Sequence, residues 1–367
     1  MTNAVSIAQG GSNNVTTRNR IINGAGLIDQ RNSGSSVTPS TNSQYTIDRW
    51  YAELSQASKF SVQQNAGSIT PPAGFTSYIG VTVGASANVT VGAGDDFFLT
   101  QAIEGFNTYD IGWGTSNAKA VTVSFWVYSS LTGTFGFSLE ANGNNASYPI
   151  LYTISSANTW QYVTITIPGT AIGTWNNGNG IGVKARFVLG CGSTLSGTSG
   201  VWSSSRALSP TGAVNLISTN SATFYITGVQ LEAGTTATPF EYRQYGTELA
   251  LCQRYYIKYS ANDANGGYAS FFGGSTASNT ALVISPFFPV SLRAPNPTQT
   301  WGGNLRLGYS AGASATLSGI SASNQQIGVT GGYGAYTCTS HALGAQAFVL
   351  PGGAGDTTAY WAFQSEL

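Results

Sequence analysis

The chain has 367 residues, of which only 8% are charged, with a formal net charge of zero and 47 glycines. An ordinary globular protein carries roughly 25% charged residues. Here 12% aromatics, spread along the whole chain, exclude disorder. The 14 basic residues are scattered singly, which excludes the clustered positive charge of a nucleic-acid binder.

Residues 1–17 are polar and without pattern, and read as a flexible arm. They lack the basic start and apolar core of a secretory signal. No apolar run approaches the ~18 residues of a spanning helix, so no membrane insertion is expected.

Strand signals then follow one another. In Val121–Tyr128, Val121, Val123, Phe125 and Val127 point one way, and Thr122, Ser124, Trp126 and Tyr128 the other. Phe135, Phe137 and Leu139 share a face, as do Val163, Ile165 and Ile167 before Pro168. Val183, Ala185, Phe187 and Leu189 alternate with Lys184 and Arg186. Gly/Asn turns such as Asn142-Gly143-Asn144 separate these segments. Short strands with turn-rich spacers predict an all-β chain of the sandwich or jelly-roll type. Phe224 and Ile226 set one face, which Val229 and Leu231 continue one residue out of phase. A bulge is therefore predicted at Gly228.

Pro239 and its loop close this first domain near residue 242. Thr247–Lys258 is the best helix candidate, with Thr247 as cap and Leu249, Cys252 and Tyr256 on one face. Strands resume at Ala281–Ser285, Leu305–Tyr309, Gln346–Leu350 and Ala359–Phe363. The last is expected to pair inside a sheet. The expected organisation is an arm (1–17), a jelly-roll domain (18–242), a helical connector (243–260) and a second β-sandwich (261–367).

Candidate chemistry is sparse. Cys191, Cys252 and Cys338 have neither disulfide-framework nor zinc spacing and read as buried free thiols. His341, the single histidine, has no nucleophile elbow to serve, and no catalytic residue is assigned. Trp113 lies in Tyr109-Asp110-Ile111-Gly112-Trp113-Gly114, and Trp175 precedes Asn176 in a similar Gly-rich turn. Exposed, these indoles beside Tyr109, Asp110 and Asn176 would suit a sugar: the ring stacks on a pyranose and the polar groups take hydroxyls. Alternatively, both indoles cap the core. Trp126 and Tyr128 line an outer groove, meet another subunit or pack beneath a loop. Asp48-Arg49 reads as a local structural pair. Asp95 and Asp96 would face opposite sides of a strand, so only a loop brings both to one ligand.

Several segments carry a family resemblance. Asn19–Trp50 begins NRIINGAGLIDQRNSG and ends in YTIDRW. The stretch Val229-Gln230-Leu231-Glu232, followed by Gly234 and Pro239-Phe240-Glu241, forms a V-Q-L-E-x-G closing strand. Glu248–Tyr256 reads ELALCQRYY, and Phe288–Pro295 reads FPVSLRAP. Together these resemble virion-associated proteins of tailed phages that carry a carbohydrate-binding-module-like jelly roll and a C-terminal β-sandwich. The resemblance implies a place on the particle surface, synthesis in the host cytoplasm, other tail or capsid proteins as partners, and a homotrimer. It also implies adhesion to a host-surface glycan through a tail fibre or appendage. A ligand-free decoration protein and a polysaccharide depolymerase are the alternatives. Jelly rolls of this family often hold a structural calcium ion, for which Asp95, Asp96 and Glu232 are the candidate ligands.

Overall fold

The computed structural model describes residues 18–260, 272–278, 281–303, 305–309, 314–320, 326–338, 346–351 and 359–367. The N-terminal arm and His341 lie outside these residues. The chain divides into two compact units, one reaching Glu248 and the other spanning Leu249–Glu366. Among the described residues, no helix is long and apolar enough to cross a membrane.

The first unit is a sandwich of two antiparallel sheets. Its strands are β1 (Gln44–Ile47), β2 (Trp50–Leu54), β3 (Phe60–Gln64), β4 (Ile79–Val83), β5 (Asp96–Glu104), β6 (Val121–Ser129) and β7 (Gly133–Ala141). They continue as β8 (Ser147–Ile154), β9 (Gln161–Ile167), β10 (Ile181–Cys191), β11 (Ser196–Gly197), β12 (Ser209–Pro210) and β13 (Thr223–Ala233). One sheet has the order β1-β2-β5-β10-β7-β8 and the other β3-β4-β13-β6-β9. Strands β11 and β12 form a small parallel pair in the excursion after β10.

The alternation seen in the sequence sets the core. Phe125 and Val127 of β6, Phe135 and Phe137 of β7, and Phe187 of β10 are all fully buried. Phe187 meets Phe125 edge-on at 5.0 Å and Phe137 at 5.2 Å. Burial of each such ring contributes about 1.5–3 kcal/mol.

The opening turn explains two motifs together. Asn23 adopts a left-handed conformation, and its amide bonds both ways with the Ile28 backbone and donates to the Asp48 carbonyl. The buried Trp50 indole N–H then donates to the Asn23 carbonyl at 3.1 Å. Asn23 and Trp50 thus form one fastening between the first residues and β2.

The bulge expected at Gly228 is present. The β13–β6 register slips between Thr227 and Gln230, and Gly228 has φ of 61°. A Cβ there would stand 2.6 Å from the Phe75 ring, so both the conformation and the space require glycine.

The helix differs from expectation. Helix α1 spans Tyr245–Gln253, and Thr247 lies inside it rather than at its cap. Helical spacing runs on to Tyr256, but β14 (Tyr256–Ser260) starts there and pairs with the C-terminal strand. Aromatic and β-branched residues favour that pairing.

The second unit contains β14, β15 (Phe272–Ser278), β16 (Ala281–Ile284), β17 (Thr298–Gly302), β18 (Leu305–Tyr309) and β19 (Ser314–Ile320). It ends with β20 (Gln326–Ile327), β21 (Gly332–Cys338), β22 (Gln346–Pro351) and β23 (Tyr360–Gln364). Strand β23 is the centre of a three-stranded sheet, β14-β23-β17. The larger sheet closes on itself, because β16 pairs with both β15 and β21. Trp361, Phe363, Phe288 and Tyr336 share the core between these sheets.

Candidate functional site

The outer face of the five-stranded sheet carries two sets of aromatics. In the first set, Tyr128 stacks on Tyr225 at 5.4 Å with 7° between planes, and both approach the Tyr78–Trp160 pair. The loop at Ala66 and Ile69 covers this set, and the Trp160 indole donates to Thr70 in the same loop. Tyr128 therefore packs beneath a loop.

The second set is open. Trp126 is half-buried, and its ring lies 5.3 Å from Tyr162, which is 45% exposed. Among the described residues, no protein group accepts from the Trp126 indole N–H. Tyr162, Thr164 and Thr166 form the exposed face of β9, opposite the core-facing Val163, Ile165 and Ile167.

Beside this pair, the edge strands β8 and β9 flank a shallow, open groove of about 520 Å³. Its walls include Ile150, Leu151 and Thr153 from β8, and Gln161, Tyr162, Thr164 and Thr166 from β9. Gln161 bridges the strands, donating to the Thr153 carbonyl at 2.6 Å. Among the described residues, none that lines the groove is charged. It can take apolar contact along its walls and hydroxyl hydrogen bonds from its threonines, which is the surface a neutral carbohydrate presents. Tyr162 was not singled out from the sequence. The available signal was an aromatic on the polar face of an alternating strand, the same pattern that drew attention to Trp126.

The tryptophans expected at a ligand face are placed differently. Trp113 is only 6% exposed and belongs to the core. Trp175 lies 4.7 Å from it and Trp202 5.8 Å, a triangle of indoles that no single segment announces. Each indole N–H is bonded to backbone: Trp113 to Lys119, Trp175 to Ile172 and Trp202 to Pro168. Trp113 is thus a packing residue rather than a displayed ring, because loops remote in sequence close over it. Of the neighbours proposed with it, Tyr109 is 63% exposed. Asp110 is paired with Arg20 at 2.7 Å, and Asn176 accepts from the Gly178 amide in its own loop. These two groups brace loops instead of facing a shared ligand.

The carboxylates expected to hold calcium do not fit a metal. Among the described residues, no three His, Cys, Asp or Glu residues are grouped to hold an ion. Asp95 accepts from the Gly92 amide, Ser55 and Gln56, and these bonds hold its pKa below the usual value. Asp96 opens β5, and its carboxyl is pushed up by burial and by nearby Glu53. Glu232 is on the other sheet. It accepts from the Thr238 amide and hydroxyl at 2.8 and 2.7 Å and from Gln230 at 2.9 Å. Gln230 in turn accepts from the Glu241 amide. The V-Q-L-E motif therefore fastens the strap after β13 by hydrogen bonds, and its acid is already satisfied.

Asp48 and Arg49 are not a pair either. Arg49 reaches the Ala102 carbonyl, whereas Asp48 accepts from Gln30 and lies 3.6 Å from Arg31. Their side chains diverge because Arg49 occupies a left-handed turn position.

A buried charge network on the six-stranded sheet was not foreseen. Arg186 is fully buried, with Nε 2.6 Å from Glu53 and a terminal nitrogen 2.7 Å from the buried Glu140. Burial, the largest single influence, would raise the Glu53 pKa, but Arg186, Lys184 and Arg206 together outweigh it and the net shift is downward. The excursion carrying β11 and β12 covers part of this face: Leu195 and Leu208 pack on Phe98 and Val188. Cys191 lies in the same cluster, and burial pushes its thiol up to about 11, leaving it unreactive.

No family model and no curated protein matches the sequence. Among solved structures, the chain is similar to the enzymatically active domain of bacteriophage CBA120 tailspike protein 4. That likeness has 13% identity and a TM-score of 0.31, covering 59% of this chain and 22% of the tailspike chain. It is also similar to TmCBM61 in complex with beta-1,4-galactotriose, at 12% identity and a TM-score of 0.30, covering 59% of this chain and all of that one (100%). A third is the CBM22-1 xylan-binding domain of Paenibacillus barcinonensis Xyn10C, with 12% identity, a TM-score of 0.25 and coverage of 56% and 97%. Likenesses this distant carry no argument about function, and the functional case rests on the geometry above.

Proposed function

We propose that the first unit is a non-catalytic glycan-binding module, with Trp126 and Tyr162 as stacking platform and the β8–β9 groove as its polar flank. The observation that carries this reading is that Trp126 and Tyr162 lie ring beside ring on an open sheet face, next to an uncharged groove. The uncharged, threonine-lined walls suit neutral sugar hydroxyls. We place the protein on a tailed-phage particle, as a trimeric tail fibre or surface appendage. This placement is supported by the sequence motifs from Asn19 to Pro295 and by nothing in the fold alone.

The test is a titration against polysaccharides and oligosaccharides from bacterial surfaces, comparing the wild type with Trp126→Ala and Tyr162→Ala. Covering about 60 Å² of ring and sugar at ~25 cal/mol per Å² contributes about 1.5 kcal/mol, so each variant loses roughly tenfold in affinity. Unchanged affinity in both variants would refute the platform. Release of reducing ends at catalytic protein concentrations would refute the non-catalytic reading. The burial of Trp113 favours a second reading, a ligand-free decoration protein. Absence of binding across the whole panel would support it.

A further inference from the structure

A second cleft, separate from the β8–β9 groove, opens in the excursion that follows β10. It encloses about 320 Å³ and is walled by Trp202, by the hydroxyls of Thr194, Ser196, Thr198 and Ser205, and by Arg206. Among the described residues, Arg206 is the only charged one lining it, in a chain with only 8% charged residues.

The guanidinium lies over a buried acid. Its Nε stands 3.4 Å from Glu140, a fully buried carboxylate that Arg186 also approaches at 2.7 Å. Glu53 neutralises Arg186 from its other side, so Glu140 is shared between the two guanidinium groups. The Arg206 side chain is 39% exposed, and among the described residues no hydrogen bond occupies its guanidinium. A fork of donors with a solvent-facing end is the geometry that binds a carboxylate through two parallel hydrogen bonds. The surrounding hydroxyls suit the ligand's ring substituents. Thr194 and Ser196 donate to the Ala93 and Gly192 carbonyls, which leaves their oxygens free to accept. Trp202 is clamped by its bond to Pro168 and by Tyr148 at 5.1 Å, so its ring is a rigid wall.

We propose that this cleft is a binding site for an acidic sugar residue, with its carboxylate on Arg206 and its ring beside Trp202. The competing role for Arg206, neutralising Glu140 and nothing more, would need neither the exposed end nor the hydroxyl-lined space.

The experiment uses the full chain and isothermal titration calorimetry. The probes are oligoglucuronate and oligogalacturonate, each against the neutral oligosaccharide of the same linkage and length. A charge-assisted pair of hydrogen bonds predicts about tenfold tighter binding of the acidic member. Arg206→Gln should abolish that preference. Arg206→Lys keeps a positive charge beside Glu140 but lacks the fork, so it folds and loses most of the preference. Tyr162→Ala, which alters only the other groove, should weaken the neutral member and leave the Arg206-dependent binding of the acidic member in place. Equal affinity for acidic and neutral probes in the wild type would overturn the proposal, as would a preference that both Arg206 variants retain. Failure of the Trp126–Tyr162 platform would show instead as loss of neutral-sugar binding, so the two readings fail separately.

Discussion

Asp48→Asn should change how stability depends on pH. Asp48 is 1% exposed, and burial pushes its carboxyl up to about 7 from an ordinary value of 3.8, in spite of Arg31 at 3.6 Å. Below the ordinary value, both folded and unfolded chains hold the proton. Between the two values the folded chain holds a proton that the unfolded chain has lost, so stability falls as pH rises. At ~1.36 kcal/mol per pKa unit, a window of about three units corresponds to a loss of about 4 kcal/mol, complete only once pH exceeds the folded value. Asparagine removes the charge and keeps an oxygen for the two Gln30 donors, which lie at 2.8 and 3.2 Å. The assay is urea denaturation of the wild type and the variant across this range. The variant should gain on the wild type steadily as pH rises from about 4 to about 7, because other titrating groups are common to both proteins. A difference between the two proteins that does not vary with pH would refute the reasoning.

Gly228→Ala should destabilise by about 2–4 kcal/mol, from the left-handed backbone and the clash with Phe75. Combining it with Phe75→Ala should recover part of that loss in a double-mutant cycle, and strict additivity would remove the clash from the account. Glu140→Ala leaves Arg186 with an incomplete set of buried partners and should cost about 3–5 kcal/mol, measured by urea melting. A loss under ~1 kcal/mol would show the network to be dispensable. Since Glu232 lies on the other sheet from Asp95 and Asp96, and Glu232 and Asp95 are already hydrogen-bonded within the protein, neither EDTA nor added calcium should move the thermal melting curve. A rise in Tm with calcium would contradict this placement. Truncation before Tyr360 removes the central strand of a three-stranded sheet and should abolish cooperative unfolding of the second unit.

Alternation was legible wherever local periodicity and burial agree. Val121–Tyr128, Val163–Ile167 and Val183–Leu189 all orient as their patterns require, and the phase slip at Gly228 marked its bulge. Outcomes set by remote segments were not legible. Arg186 alternates with an apolar row and so reads as a solvent-facing charge, yet Glu53 and Glu140 from two other strands enclose it. Trp113 sits in a glycine-rich turn that suggests display, but Trp175 and Trp202 arrive from other loops and bury it. Helical spacing carries the expected helix over Thr247–Lys258, whereas pairing of Tyr256 with Gln364 decides the outcome. Glu232 is a metal candidate only through the family resemblance, and its partner Thr238, six residues on, satisfies it by hydrogen bonds that carry no periodic signal. For Arg186, Trp113 and Tyr256 the deciding partner lies outside the window in which periodicity acts.

The proposed glycan site of the first unit is the Trp126–Tyr162 platform. A crystal structure of the protein with the tightest-binding neutral oligosaccharide from the titrations tests it directly. Sugar density is expected stacked on Trp126 or Tyr162, with hydroxyls within hydrogen-bond reach of Thr164 or Thr153. Well-ordered sugar elsewhere on the molecule, with that platform bare, would contradict it.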